Sequence, residues 1–255
     1  MRTFSASTIP EEYLPRASLH HLSNALAGRE WVLVGATARD IALFGGGVWS
    51  QVRRTLDVDV AVALDHRHQH EVLLQELGTP RAAWQRVDLD GRHPVDVVPF
   101  GALAPDGVVE IAGTRLNVLA FAEAAATADR LEFDDGRLLP FASLEMLAVL
   151  KLLAFHDRQP GTTKDADDLL LILEGSSRGT YLDEVYTDDE ALTANDFDPV
   201  RAGPWRIGRT ASQLLVPQTM ALVHTIADQL PDQVSRRWPS DRHPLLTAWL
   251  EGLTG

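Results

Sequence analysis

The chain has no cysteine. Disulfides, thiolate zinc sites and cysteine nucleophiles are therefore excluded, and the absence fits a reducing compartment. No uncharged run approaches the length needed to cross a bilayer. The first fifteen residues carry Glu11 and Glu12 in place of an apolar signal stretch, so a soluble, cytoplasmic protein is expected. Gly45-Gly46-Gly47 is not followed by Lys-Ser or Lys-Thr, which excludes a P-loop. No Gly-x-Ser-x-Gly nucleophile elbow occurs, and no repeat of solenoid period is visible.

Positive charge is also scarce. Lys and Arg number 23 against 36 Asp and Glu, a net charge of −13. Such a surface repels polyanions on average. The balance is uneven: residues 201–255 hold six Arg and four acids, and the rest of the chain is strongly acidic. A polyanionic partner would therefore need a local basic patch, for which Arg201, Arg206, Arg209, Arg236 and Arg237 are the candidates.

What is present is an ordinary globular composition, 45% apolar over 255 residues. That is enough for one large domain or for a core domain with a helical extension. Residues 10–27 read as a helix, Trp31–Val34 as a short buried strand, and Ala36–Phe44 as a second helix after Gly35. Asp57–Leu64 alternates as a strand. A short helix over Glu71–Leu77, strands near Trp84–Leu89 and Val95–Phe100, and a hairpin across Ala112-Gly113 follow. Ala120–Asp129 reads as an alanine-rich helix. From Ser143 the chain turns helical, with helices through Phe155, over Thr163–Leu173, and at 208–215 and 218–229, and with a turn at Pro160-Gly161. The expected fold class is α+β: a mixed β-sheet with flanking helices over residues 1–140, then a helical domain over 141–255.

The informative acids lie in two valine-rich strands. Asp57 and Asp59 are two apart, so on a strand both project from one face while the valines bury. Acid-x-acid occurs six times in the chain, and composition alone predicts about five, so the spacing by itself decides nothing. Only the 57/59 pair heads an apolar β-run. Adjacent carboxylates repel unless a cation lies between them, and oxygen donors suit Mg²⁺. The bland alternative is a turn or capping role at the strand start, with Arg53 or Arg54 as ion-pair partner. Asp96, flanked by valines, is costly to bury unpaired. If its strand neighbours Asp57–Leu64, three carboxylates converge, a set that holds two metals about 3.5–4 Å apart for phosphoryl transfer.

In this pattern the chain resembles the nucleotidyltransferase superfamily with the DNA polymerase beta-type fold. More narrowly it resembles the AbiEii/AbiGii-type toxin nucleotidyltransferases. The likeness rests on Gly35-Ala36-Thr37-Ala38-Arg39-Asp40, Arg54-Thr55-Leu56-Asp57-Val58-Asp59, Val95–Gly101, Leu150–Ala154 with Asp157-Arg158, and Lys164–Leu169. It implies that Asp57, Asp59 and Asp96 bind Mg²⁺ and carry catalysis. It implies that Gly35, Ala36 and Thr37 approach the triphosphate, and that Lys151, Lys164 and Asp168 face the nucleotide. The implied reaction moves a nucleoside monophosphate from a nucleoside triphosphate to an acceptor hydroxyl, with a tRNA 3′ end or other RNA as acceptor and an antitoxin protein as partner. The chain departs from the superfamily at Ala36, where Gly or Ser is usual, and in the long gap between Gly35 and Asp57.

Other readings stay open. The acidic charge suits a cationic, aminoglycoside-like acceptor better than RNA. A non-catalytic interaction protein retaining the fold is the reading that Ala36 favours. Lys151 beside an apolar stripe reads equally as a snorkelling lysine, and Lys164 with Asp168 as a surface i,i+4 pair. His66, His68 and His70 alternate, but they fall where a loop or first helical turn is expected. Trp205, Trp238 and Trp249 read as core anchors of the helical part or as base-stacking surfaces.

Overall fold

The computed structural model describes residues 1–48, 57–89, 93–158, 162–234 and 237–255. Arg53, Arg54, the turn at Pro160-Gly161 and Arg236 lie outside the described residues. The chain separates into two compact units: Met1–Gly45 with Ser50–Ser143, and Gly46–Trp49 with Leu144–Gly255.

The first unit contains β1 (Thr3–Ser5), α1 (Arg16–Ala25), β2 (Trp31–Val34), α2 (Gly35–Gly45), β3 (Val58–Ala63), α3 (Arg67–Leu77), β4 (Thr79–Pro80), β5 (Arg86–Asp88), β6 (Pro94–Phe100), β7 (Val108–Ile111), β8 (Thr114–Asn117), α4 (Phe121–Ala126), β9 (Asp129–Glu132) and β10 (Leu138–Phe141). Eight strands form one mixed sheet in the order β1-β9-β10-β2-β3-β6-β5-β4, and β7 with β8 forms a separate hairpin. β3 and β6 run parallel at the centre, flanked by antiparallel β2 and β5. The valines of both central strands are why they are central: Val58, Val60, Val62, Val95 and Val97 are all fully buried, and β-branched side chains pack well on a pleated surface. Helix α3 docks on β6 through His70, whose Nε2 lies 3.0 Å from the Val97 carbonyl oxygen, with the ring against Trp84. The three alternating histidines therefore belong to the start of this helix, not to a strand.

Two expectations are corrected here. The first helix is shorter than residues 10–27, because residues 11–13 form a separate 3₁₀ turn and α1 begins at Arg16. The alanine-rich helix stops at Ala126, and Asp129 opens β9 instead. The reason is long-range. The buried Asp129 carboxylate accepts from the Arg2 backbone N–H at 2.5 Å and pairs with its guanidinium at 3.3 Å, which ties β9 to β1.

The second unit is helical: α5 (Leu144–Arg158), α6 (Lys164–Gly175), α7 (Gly179–Tyr186), α8 (Asp189–Ala194), α9 (Pro199–Leu214), α10 (Pro217–Ala227), α11 (Leu230–Val234) and α12 (His243–Thr254). Helices α9 and α12 touch backbone to backbone. A Cβ on Gly208 would lie 2.3 Å from the Trp249 carbonyl oxygen, and one on Gly252 would lie 2.0 Å from that of Trp205. Trp249 is fully buried and Trp238 nearly so, as anchors of this unit. Among the described residues no helix is long and apolar enough to cross a membrane.

Candidate active site

The three aspartates meet on one face of the first unit's sheet. Asp59 on β3 is the register partner of Asp96 on parallel β6. Register partners project to the same side, and Asp57, two residues before Asp59, joins that side. The row continues across the sheet: Asp59 stands opposite Val34 at the end of β2, and Asp96 stands opposite Arg86 on β5.

Arg86 was not anticipated from the sequence. Its Nε donates to Asp96 Oδ1 at 2.8 Å, and its Nη2 donates to both Asp96 Oδ2 and Asp57 Oδ2, each at 2.8 Å. One guanidinium thus links two of the three carboxylates. The Asp96 hydrogen bonds, aided by the charges of Asp96 and Asp57 and opposed by partial burial, raise the guanidinium's pKa above its ordinary value. The ion pair is accessible to solvent, with side-chain exposure of 34% for Arg86, 37% for Asp57 and 15% for Asp96. The only signal in the sequence was an Arg at an alternating position of a predicted strand. Its partner depended on a β5–β6 register that crosses residues 90–92.

Gly35 begins α2 with φ +70°, and a Cβ there would fall 2.1 Å from Asp59 Oδ2. Glycine is therefore required for two reasons, the left-handed backbone and the carboxylate lying against it. That places the Asp59 carboxylate at the N-terminal end of a helix, where the peptide dipoles favour negative charge. Ala36 and Thr37 follow in the first turn, both buried. The Thr37 hydroxyl donates to the Asp57 carbonyl oxygen at 3.2 Å, fixing the chain where it enters β3. A recess of about 410 Å³ opens beside Asp57, and Glu11, Glu12, Thr37, Asp40 and His93 are among its lining residues.

The donor set fits a hard divalent cation in kind: three carboxylates, no sulfur, on one face of adjacent strands. In the arrangement described, Arg86 supplies positive charge to Asp57 and Asp96. Among the described residues no three His, Asp or Glu side chains are grouped so that they could hold a metal ion as they stand.

Lys151, Lys164 and Asp168 lie in the helical unit. Lys151 Nζ donates to Asp165 at 3.0 Å and lies 2.6 Å from Asp168 Oδ2, while Arg158 also reaches Asp165 at 2.9 Å. Asp168 is thus paired with Lys151, and Lys164 is exposed on α6. Of the arginines expected to form a basic patch, the four that are described are engaged by acids of the same unit. Arg206 meets Glu184 at 2.6 Å, and Arg209 meets Asp188 at 2.5 Å and Glu190. Arg237 meets Asp167 at 3.1 Å, and Arg201 comes within 4.0 Å of Asp196. The acidic run over residues 176–200 is thus the counter-charge of α9.

No protein-family model matches the chain, and no curated protein matches it. Several solved structures do. The antibiotic-resistance factor ANT(2'')-Ia is 15% identical, over 70% of this chain and 92% of that one, with a TM-score of 0.38. An antigenic nucleotidyltransferase-like protein from Paracoccidioides brasiliensis is 17% identical, over 76% and 94%, with a TM-score of 0.40. Likenesses of this size do not by themselves define an activity for the chain.

Proposed function

We propose that the protein is a Mg²⁺-dependent nucleotidyltransferase that moves a nucleoside monophosphate from a nucleoside triphosphate to an acceptor hydroxyl. The observation that carries this reading is the convergence of Asp57, Asp59 and Asp96 on one sheet face, beside the glycine that opens α2. In this reading the acceptor oxygen attacks the α-phosphorus, the bond to the β-phosphate's bridging oxygen breaks, and pyrophosphate leaves. Asp57, Asp59 and Asp96 would hold the metal, which when bound offsets triphosphate charge and lowers the acceptor hydroxyl's pKa. Asp96 would help to activate the acceptor hydroxyl. The first turn of α2, from Gly35 through Ala36 to Thr37, offers backbone N–H groups to an anion. Thr37 serves by anchoring Asp57, since its hydroxyl is already engaged. The nucleotide role of Lys151, Lys164 and Asp168 stays part of the proposal, and Lys151 has a structural duty besides.

For the acceptor, the ion-paired arginines of the helical unit favour a small hydroxylated, cationic molecule over RNA. Arginines already paired with acids are less available to neutralise phosphates and displace their condensed counterions, and the acidic surface attracts cations. An antitoxin partner and a toxin role belong to the RNA alternative. The test is incubation with each α-labelled nucleoside triphosphate, Mg²⁺, and either total RNA or polyamine-like aminocyclitols, following label into product. Asp57→Asn should abolish transfer with the fold intact. Normal turnover by that variant would remove the reading. Label entering RNA, with binding that weakens steeply as salt rises, would restore the tRNA alternative.

A further inference from the structure

We infer that Arg86 is an internal counter-cation that competes with the metal for Asp57 and Asp96, so that loading the site requires its withdrawal. The inference rests on the metal-binding reading above and adds a residue to it.

Three observations carry it. First, the guanidinium engages both oxygens of Asp96 and one of Asp57, all at 2.8 Å. These oxygens are among those that a cation bridging the two acids would use. Second, the contact is reversible in kind. Arg86 is about one-third exposed, and Asp57 slightly more. Its departure moves a charge into water and leaves Asp57 at 37% exposure and Asp96 at 15%, a smaller loss than removing a partner from a sealed pair. Third, Arg86 sits on a three-residue strand whose outer neighbour, β4, has only two residues. Its backbone register opposite Asp96 keeps it beside the site after it lets go.

Arg86 then does two things. Without metal it prevents like-charge repulsion from splaying the carboxylates. With metal it is released, and the site's affinity is lowered by the contacts that must be given up. Metal alone should bind weakly, and tight binding should need the added charge of the triphosphate.

The test is calorimetric titration of the full-length protein with MgCl₂ alone. Arg86→Met, which keeps bulk and removes charge, should bind Mg²⁺ about tenfold more tightly than the native protein, the scale of one lost charge-assisted hydrogen bond. Arg86→Lys, whose point charge cannot span both acids, should fall between the two, and it serves if the methionine variant fails to fold. On the native chain, saturating Mg²⁺ should increase modification of Arg86 by a dicarbonyl reagent, read by peptide mapping. Native binding that is unchanged or weakened in both variants overturns the inference and leaves the metal reading standing. Absence of saturable, Asp57-dependent Mg²⁺ binding in native and variant proteins alike overturns both.

Discussion

Among the described residues, two places put one cation between two aspartates, and their surroundings differ. In the sheet unit Arg86 joins Asp57 and Asp96 in partial contact with water. In the helical unit Lys151 joins Asp165 and Asp168 with side-chain exposures of 11%, 2% and 8%. The chemistry of the pairs is similar, but the surroundings are not. Desolvated charges that lose a partner are left stranded, so the Lys151 cluster is a permanent clamp between α5 and α6. Charges near water lose little on separation, so it is the Arg86 cluster that the proposed metal exchange would use. Burial, more than residue type, separates a strut from a site.

Paired substitutions sharpen that contrast. The largest effect on stability is expected from Lys151→Met, which takes one cation away from the buried Asp165 and Asp168 carboxylates, leaves Arg158 on Asp165, and should cost about 3 kcal/mol in chemical denaturation. Arg86→Met should cost only about 1 kcal/mol or less by the same measurement, as an accessible ion pair does. Equal costs at the two positions would erase the distinction. Between these lies Gly35→Ala, where a methyl would meet Asp59 in a left-handed backbone. We expect about 1–3 kcal/mol of lost stability, together with lost transfer activity, because the carboxylate must move. The smallest effect concerns His70. Burial lowers its pKa below the ordinary 6.5, partly opposed by the Val97 carbonyl contact and Glu71, with Arg67 adding slightly to the lowering. The unfolded chain then binds more protons than the folded one just below pH 6.5, so stability should fall as pH drops through that region. His70→Gln should flatten that slope in thermal melts taken across the range, and an unchanged slope would assign it to other groups.

Much of the sheet centre was legible because its signals are local. β2, β3 and β6 are short apolar runs bounded by glycine, histidine-proline or charge, and the two-residue period alone put Asp57 and Asp59 together. The helices α2, α5 and α6 were equally visible from apolar spacing. What escaped depends on distant partners. β9 and β10 are four residues each, and Asp129 looked like the end of a helix until Arg2, 127 residues away, supplied its bonds. Helices α7 and α8 hide in an acidic run whose charges make sense only opposite Arg206 and Arg209. Folding likewise changes the reading of the basic C-terminal stretch, since Arg206, Arg209 and Arg237 each meet an acid once folded. Arg86 escaped because its partners, Asp96 ten residues on and Asp57 29 residues back, are brought to it only by the strand register.

The matched positions of Asp59 and Asp96 have a consequence for folding as well as for chemistry. Sliding β6 by a single residue against β3 would turn its acid toward the apolar layer and a valine toward water. Both faces of the sheet would then be wrong at once. The carboxylates therefore act as alignment marks, making misregistered pairings of the two central strands expensive before any ligand arrives.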